Sequence, residues 1–240
     1  MKKTYYKNNE KKMLITEHLN ELRHRIFTTL LAFTIITIIC VIYSKNIALT
    51  LQGPASGIKF LQLAPGEYFF VSIKVSLYVG VITSIPFFIY QIILFILPGL
   101  TKEEAQYIIP ISAISILLFF FGILFSYHIL IPAALNFFIN YGSEIVEPVW
   151  SFEEYFNFIL IILLSTGITF QIPILQFILG ILKITDSKNM LKYWKYITFI
   201  STIVGAIITP STDPITQIFM SSAILILYLI GIFMLKALDK

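Results

Sequence analysis

Long apolar runs separated by short polar stretches set the pattern of this 240-residue chain. Read as helices crossing a hydrocarbon core of roughly 30 Å, they predict an all-α polytopic membrane protein, a single membrane domain of six transmembrane helices. The spans fall near residues 26–43, 69–97, 107–131, 152–182, 193–208 and 215–235. The second and fourth are too long to stand upright and contain Pro86 and Pro173, so long, bent helices are expected there. The fifth and sixth are expected to be short. At 1.5 Å per residue, residues 193–208 reach only about 24 Å, so this span must thin the bilayer or shelter behind its neighbours. Bends and short helices together predict a concave face.

Ahead of the first run, residues 1–13 carry Lys2, Lys3, Lys7, Lys11 and Lys12 among polar neighbours and read as a solvated tail. In residues 14–25 and just beyond, Ile15, Leu19, Leu22 and Ile26 recur at helical spacing. Glu17, Glu21, Arg23, His24 and Arg25 take the other face, with Glu21 four residues before Arg25. That pattern predicts an amphipathic helix lying on the membrane surface. No small-residue cleavage site follows the first apolar run, so it is expected to remain as a span.

Composition agrees with the pattern: 58% of residues are hydrophobic, 12% are charged and the mean hydropathy is +0.87. A net charge of +4 would suggest nucleic acid in a soluble protein. Here fourteen of the seventeen Lys and Arg residues lie at the N-terminus, at Lys102, between Lys183 and Lys195, or at the C-terminus. Alternate spans put all of these on one side, so the charge is topological and places both termini on the cytoplasmic or stromal side. No nucleic-acid partner is expected.

Cys40 is the only cysteine, and His18, His24 and His128 share no ligand spacing, so no disulfide framework, metal site or cofactor is expected. The chain lacks a Gly-x-x-x-x-Gly-Lys-Ser/Thr phosphate loop and a His-Glu-x-x-His pair, and no nucleophile has a plausible base, which argues against an enzyme. A secondary transporter of a small solute is the alternative. The absence of an internal repeat, and of an ionisable residue deep in any span, counts against it.

The candidate chemistry is acidic and amide. Glu103 and Glu104 sit in the polar stretch Pro98–Gln106, pinned between two of the longest apolar runs, on the side that also carries Glu21. A carboxylate holds a guanidinium bidentately, and two successive arginines need two acceptors. Glu104 and Glu21 could supply one each. Glu103 and Glu104 equally suit the start of a helix, where the dipole favours acids. Gln171, two residues before Pro173, could bond the carbonyl that the proline frees or dock a polar group of a partner helix. Asp213, in a turn before the sixth span, suits a helix cap.

Several stretches in order resemble one family. Residues 18–26 read His-Leu-Asn-Glu-Leu-Arg-His-Arg-Ile, followed by Gly53-Pro54, Tyr90-Gln91, Pro98-Gly99-Leu100, Gly167-Ile168-Thr169-Phe170-Gln171-Ile172-Pro173, and Thr209-Pro210 through Asp213 to Gln217. Together they resemble TatC, the receptor subunit of the twin-arginine translocase. The resemblance implies a Sec-independent translocase subunit that binds the paired arginines of a signal sequence. With single-span TatA/TatB-like partners, in a hetero-oligomer of several copies, it would move folded proteins across the membrane on the proton gradient. It places Glu21, Arg23 and Glu104 on the signal-recognition surface with Glu103 beside them, and Pro54 and Pro98 in functional loops. Gln171, Asp213 and Gln217 fall at polar positions facing partners. Gln171 stands where many bacterial members carry Glu. That likeness to the cyanobacterial and plastid branch, together with an isoleucine-, phenylalanine- and lysine-rich, alanine-poor composition typical of AT-rich genomes, points to a plastid thylakoid membrane, with a bacterial inner membrane second.

Overall fold

The computed structural model describes residues 15–96, 98, 102–142, 149–182, 184–208 and 214–237. The described elements run α1 (Ile15–Ile42), α2 (Ser44–Leu51), a 3₁₀ turn at Gly53–Ala55, β1 (Lys59–Leu61), α3 (Glu67–Ile96) and α4 (Lys102–Phe125). A π-helical turn at Ser126–Leu130 follows, then α5 (Ile131–Gly142), β2 (Val149–Ser151), α6 (Phe152–Thr169), α7 (Ile172–Ile181), α8 (Ser187–Lys192), α9 (Trp194–Ile208) and α10 (Pro214–Lys236). Five helical stretches are long and apolar enough to cross a membrane: His18–Ile42, Glu67–Ile96, Gln106–Tyr141, Phe152–Ile181 and Pro214–Lys236. Trp194–Ile208 is a sixth, shorter apolar helix.

Four details differ from the sequence reading. The expected surface helix and the first span are one helix, because no proline or glycine interrupts Ile15–Ile42. The third span does not stop near residue 131. Pro132 has no N–H to give, and the wide turn at Ser126–Leu130 takes up the mismatch, so the helical path continues to Gly142. Of the last two helices only α9 is short, since α10 runs for 23 residues. The chain is also not wholly helical: β1 and β2 pair in parallel, with Phe60 opposite Trp150.

The fourth span breaks where its proline dictates. Pro173 stands in the first turn of α7 and has no N–H for a continuing α6, so Phe170 and Gln171 form the joint. In α3, Pro86 is instead carried inside an unbroken helix.

The packing has a hub and an outlier. In the most apolar window of Phe152–Ile181, 56% of residues are buried inside the protein, against 6% for α1. Phe156, Ile159, Leu160, Ile162 and Leu163 of α6 fill the core against α3 and α4. Helix α1 lies along α3 and touches little else among the described residues. Gly80 lets the two approach, since a Cβ there would stand 2.4 Å from the Thr37 hydroxyl.

Candidate functional site

With spans alternating, one end of the bundle collects the start of α1, the end of α3, the start of α4, α8 and the end of α10, and hence most of the lysines and arginines among the described residues. At this basic end α1 and α3 build a polar cluster from residues that helical spacing brings to facing sides. Glu21 and Arg25 lie one turn apart on α1, Gln91 and Phe95 one turn apart on α3. Arg25 donates from Nε to Glu21 Oε1 at 3.0 Å, and its Nη2 reaches the same oxygen. Its Nη1 donates to Gln91 Oε1 at 3.2 Å. The His18 ring stacks on Phe95 with centroids 4.2 Å apart, and its Nδ1 is 3.9 Å from Glu21 Oε2. The arrangement is a carboxylate already holding a guanidinium, with an amide oxygen taking one further donor.

The other expected signal-surface residues divide. Arg23 is exposed and points off the cluster, sharing a face of α1 with Asn20, His24 and Phe27. Glu103 and Glu104 occupy the first turn of α4, which begins after five intervening residues from the end of α3, and their side chains lie outside the described residues. Pro98 is exposed in the connection between them.

At the opposite end Pro54 sits half-buried in the 3₁₀ turn, and two tyrosines fix the helix before it. Tyr127 donates to the Thr50 carbonyl at 2.6 Å and Tyr155 to the Leu51 carbonyl at 2.8 Å, so the last carbonyls of α2 are capped from the π-helical turn and from α6. Close by, the buried Glu67 carboxylate accepts N–H bonds from Leu63, Ala64 and Glu153. Lys74 donates to Glu153 at 3.0 Å and to Asn157 at 2.8 Å. Gln171, expected to serve a freed carbonyl or a partner, is engaged by α4: Ser115 donates to its Oε1, and its Nε2 donates to the Ser115 carbonyl at 3.1 Å. Gln217 donates to the Thr202 carbonyl of α9 at 3.3 Å. Asp213 lies outside the described residues.

The family model for the Sec-independent protein translocase protein TatC matches residues 17–222. The chain belongs to the TatC family. It is 66% identical, over 97% of its length and 98% of the other protein, to an uncharacterised TatC-like protein of the red alga Gracilaria tenuistipitata. It is 48% identical to the TatC of the cyanobacterium Synechocystis, covering 95% of this chain and 90% of that one. The fold is similar to the crystal structure of the twin-arginine translocase receptor TatC, with a TM-score of 0.80 and 34% identity over 93% of this chain and 100% of that one. This TatC family member is therefore a Sec-independent translocase component and an integral protein of a thylakoid or bacterial membrane.

In the sequence, Arg25 reads mainly as a topological charge that could also bind lipid phosphate or brace the acidic residues, and Gln91 as part of a family motif with no place in the site. A polar amide inside the apolar run ending at residue 97 was the available signal, since a buried amide needs a partner. Glu67 carried no comparable signal. Its partners are backbone amides, and Glu153 is 86 positions away.

Proposed function

We propose that this chain is the receptor that binds the paired-arginine signal of folded cargo, with the Glu21 carboxylate accepting one guanidinium and Glu104 the other. The observation that carries the reading is the Arg25 guanidinium seated on Glu21, with Gln91 taking one further donor. A site that holds one arginine in this way has the chemistry to hold an arginine of a guest. The short connection from α3 to α4 keeps Glu103 and Glu104 near the α3 end that contributes Gln91 and Phe95. The role is binding and passage, without a chemical step. Transport would draw on the proton gradient and on single-span TatA/TatB-like partners assembled with several copies of this chain. Both termini face the cytoplasm or stroma, as the Lys/Arg bias favours, and the plastid relatives favour the thylakoid.

The test is crosslinking from a photoreactive residue at position 104, using one signal peptide with Arg-Arg and another with Lys-Lys. An adduct with Arg-Arg that is lost with Lys-Lys and weakened by Glu21→Ala is expected. Equal labelling by both peptides would leave Glu103 and Glu104 as helix-start residues and sink the reading.

A further inference from the structure

We propose that Arg25 is a resident occupant of the arginine seat, and that a signal peptide binds by exchange with it rather than by filling an open site. Both oxygens of Glu21 are closed to a newcomer. Oε1 carries two donors from Arg25. Oε2 has no hydrogen-bond partner yet is shut off from solvent, with the His18 ring beside it, stacked on Phe95. A carboxylate has about four lone-pair positions, so Glu21 is only half satisfied, and its unused half cannot be reached without movement.

The side chains of Arg25 and Glu21 are 19% and 20% exposed, so water screens the pair less than a surface pair. Arg25 also neutralises the charge that would attract a cation. Exchange solves both problems, because the arriving guanidinium replaces a group of identical chemistry. Arg25 keeps an acceptor throughout, the Gln91 side-chain oxygen. The apparent affinity for any guest is then the intrinsic affinity multiplied by the fraction of chains in which Arg25 has let go. Arg25 therefore sets how tightly signals bind, while the carboxylates set which signals bind.

This inference rests on the assignment of Glu21 as a signal acceptor, and the experiment separates the two. The full chain in nanodiscs is titrated with fluorescent Arg-Arg and Lys-Lys signal peptides, for the parent protein, Arg25→Gln, Arg25→Lys and Glu21→Gln. Thermal unfolding of each variant checks that it is folded. Arg25→Gln is expected to tighten both peptides by the same factor, on the order of tenfold, leaving their ratio unchanged. Arg25→Lys, a point charge without the planar fork, should fall between Arg25→Gln and the parent. Weaker or unchanged Arg-Arg binding in Arg25→Gln, or a changed ratio, overturns the exchange and makes Arg25 a direct reader or a positioning residue. Arg-Arg binding that survives Glu21→Gln unaltered overturns the Glu21 assignment itself.

Discussion

Glu67 accepts the backbone N–H of Glu153 at 2.9 Å, so the first residue of α3 closes the first turn of α6 across 86 positions of chain. Its other oxygen takes the N–H groups of Leu63 and Ala64, which lead into its own helix. One carboxylate thus satisfies three amides from two distant stretches of the chain.

Replacing that carboxylate tests the junction. Glu67→Gln keeps the shape but offers one acceptor oxygen in place of two, leaving part of the amide set unpaired. It is expected to lower the thermal midpoint in detergent, and Glu67→Ala to lower it further. Equal midpoints for all three proteins would show that water serves those amides as well as the side chain does.

The α1–α3 contact is tested at Gly80, where a Cβ would meet Thr37. Gly80→Leu must push Thr37 away, an overpacking cost of typically 1–3 kcal/mol, and should separate the two helices at the basic end as well. In a Cys40→Ser background, thiols placed at positions 18 and 95 should be joined efficiently by a short bifunctional reagent. The Gly80→Leu change is expected to reduce that yield severalfold.

The joint between α6 and α7 is held by a pair that can be dissected. Gln171→Leu removes both hydrogen bonds to Ser115, whereas Ser115→Ala removes only the one its hydroxyl donates, each worth about 1 kcal/mol in a membrane protein. The double variant is expected to cost less than the sum of the singles, because both changes break one interaction. Additive losses in a thermal-unfolding cycle would show that the two side chains act separately.

At the opposite end, Tyr127→Phe and Tyr155→Phe leave the Thr50 and Leu51 carbonyls without their donors. Each is expected to cost on the order of 1 kcal/mol. The readout is local, with faster proteolysis between residues 52 and 66 and little change elsewhere.

The fold was legible in the sequence wherever apolar length or a proline decided it. Six runs became five membrane-length helical stretches and one shorter apolar helix, and Pro173 placed the α6–α7 break. The continuity of α1 was harder to read, because charged residues at its start looked like a surface helix and nothing marked the absence of a breaker. The extension to Gly142 was hidden by Pro132, which reads as a stop until a π-helical turn absorbs it. The strands β1 and β2 are three residues each and have no periodicity to detect. At the candidate site, the i,i+4 spacing of Glu21 and Arg25 was visible, but Gln91 joins them only after α1 has packed along α3, an event no local pattern encodes.

The unbroken course of α1 also sets an altitude. Glu21 and Ile42 are twenty-one positions apart, which at 1.5 Å each is about 32 Å, close to the roughly 30 Å of hydrocarbon in a bilayer. With the far end of the helix at one face, Glu21 comes level with the glycerol and phosphate layer of the other. There water is sparse enough to strengthen a charge-assisted bond and plentiful enough to admit an arginine. The helix is a ruler, and under the proposed receptor function lipid chain length becomes a variable in how the protein meets its signal.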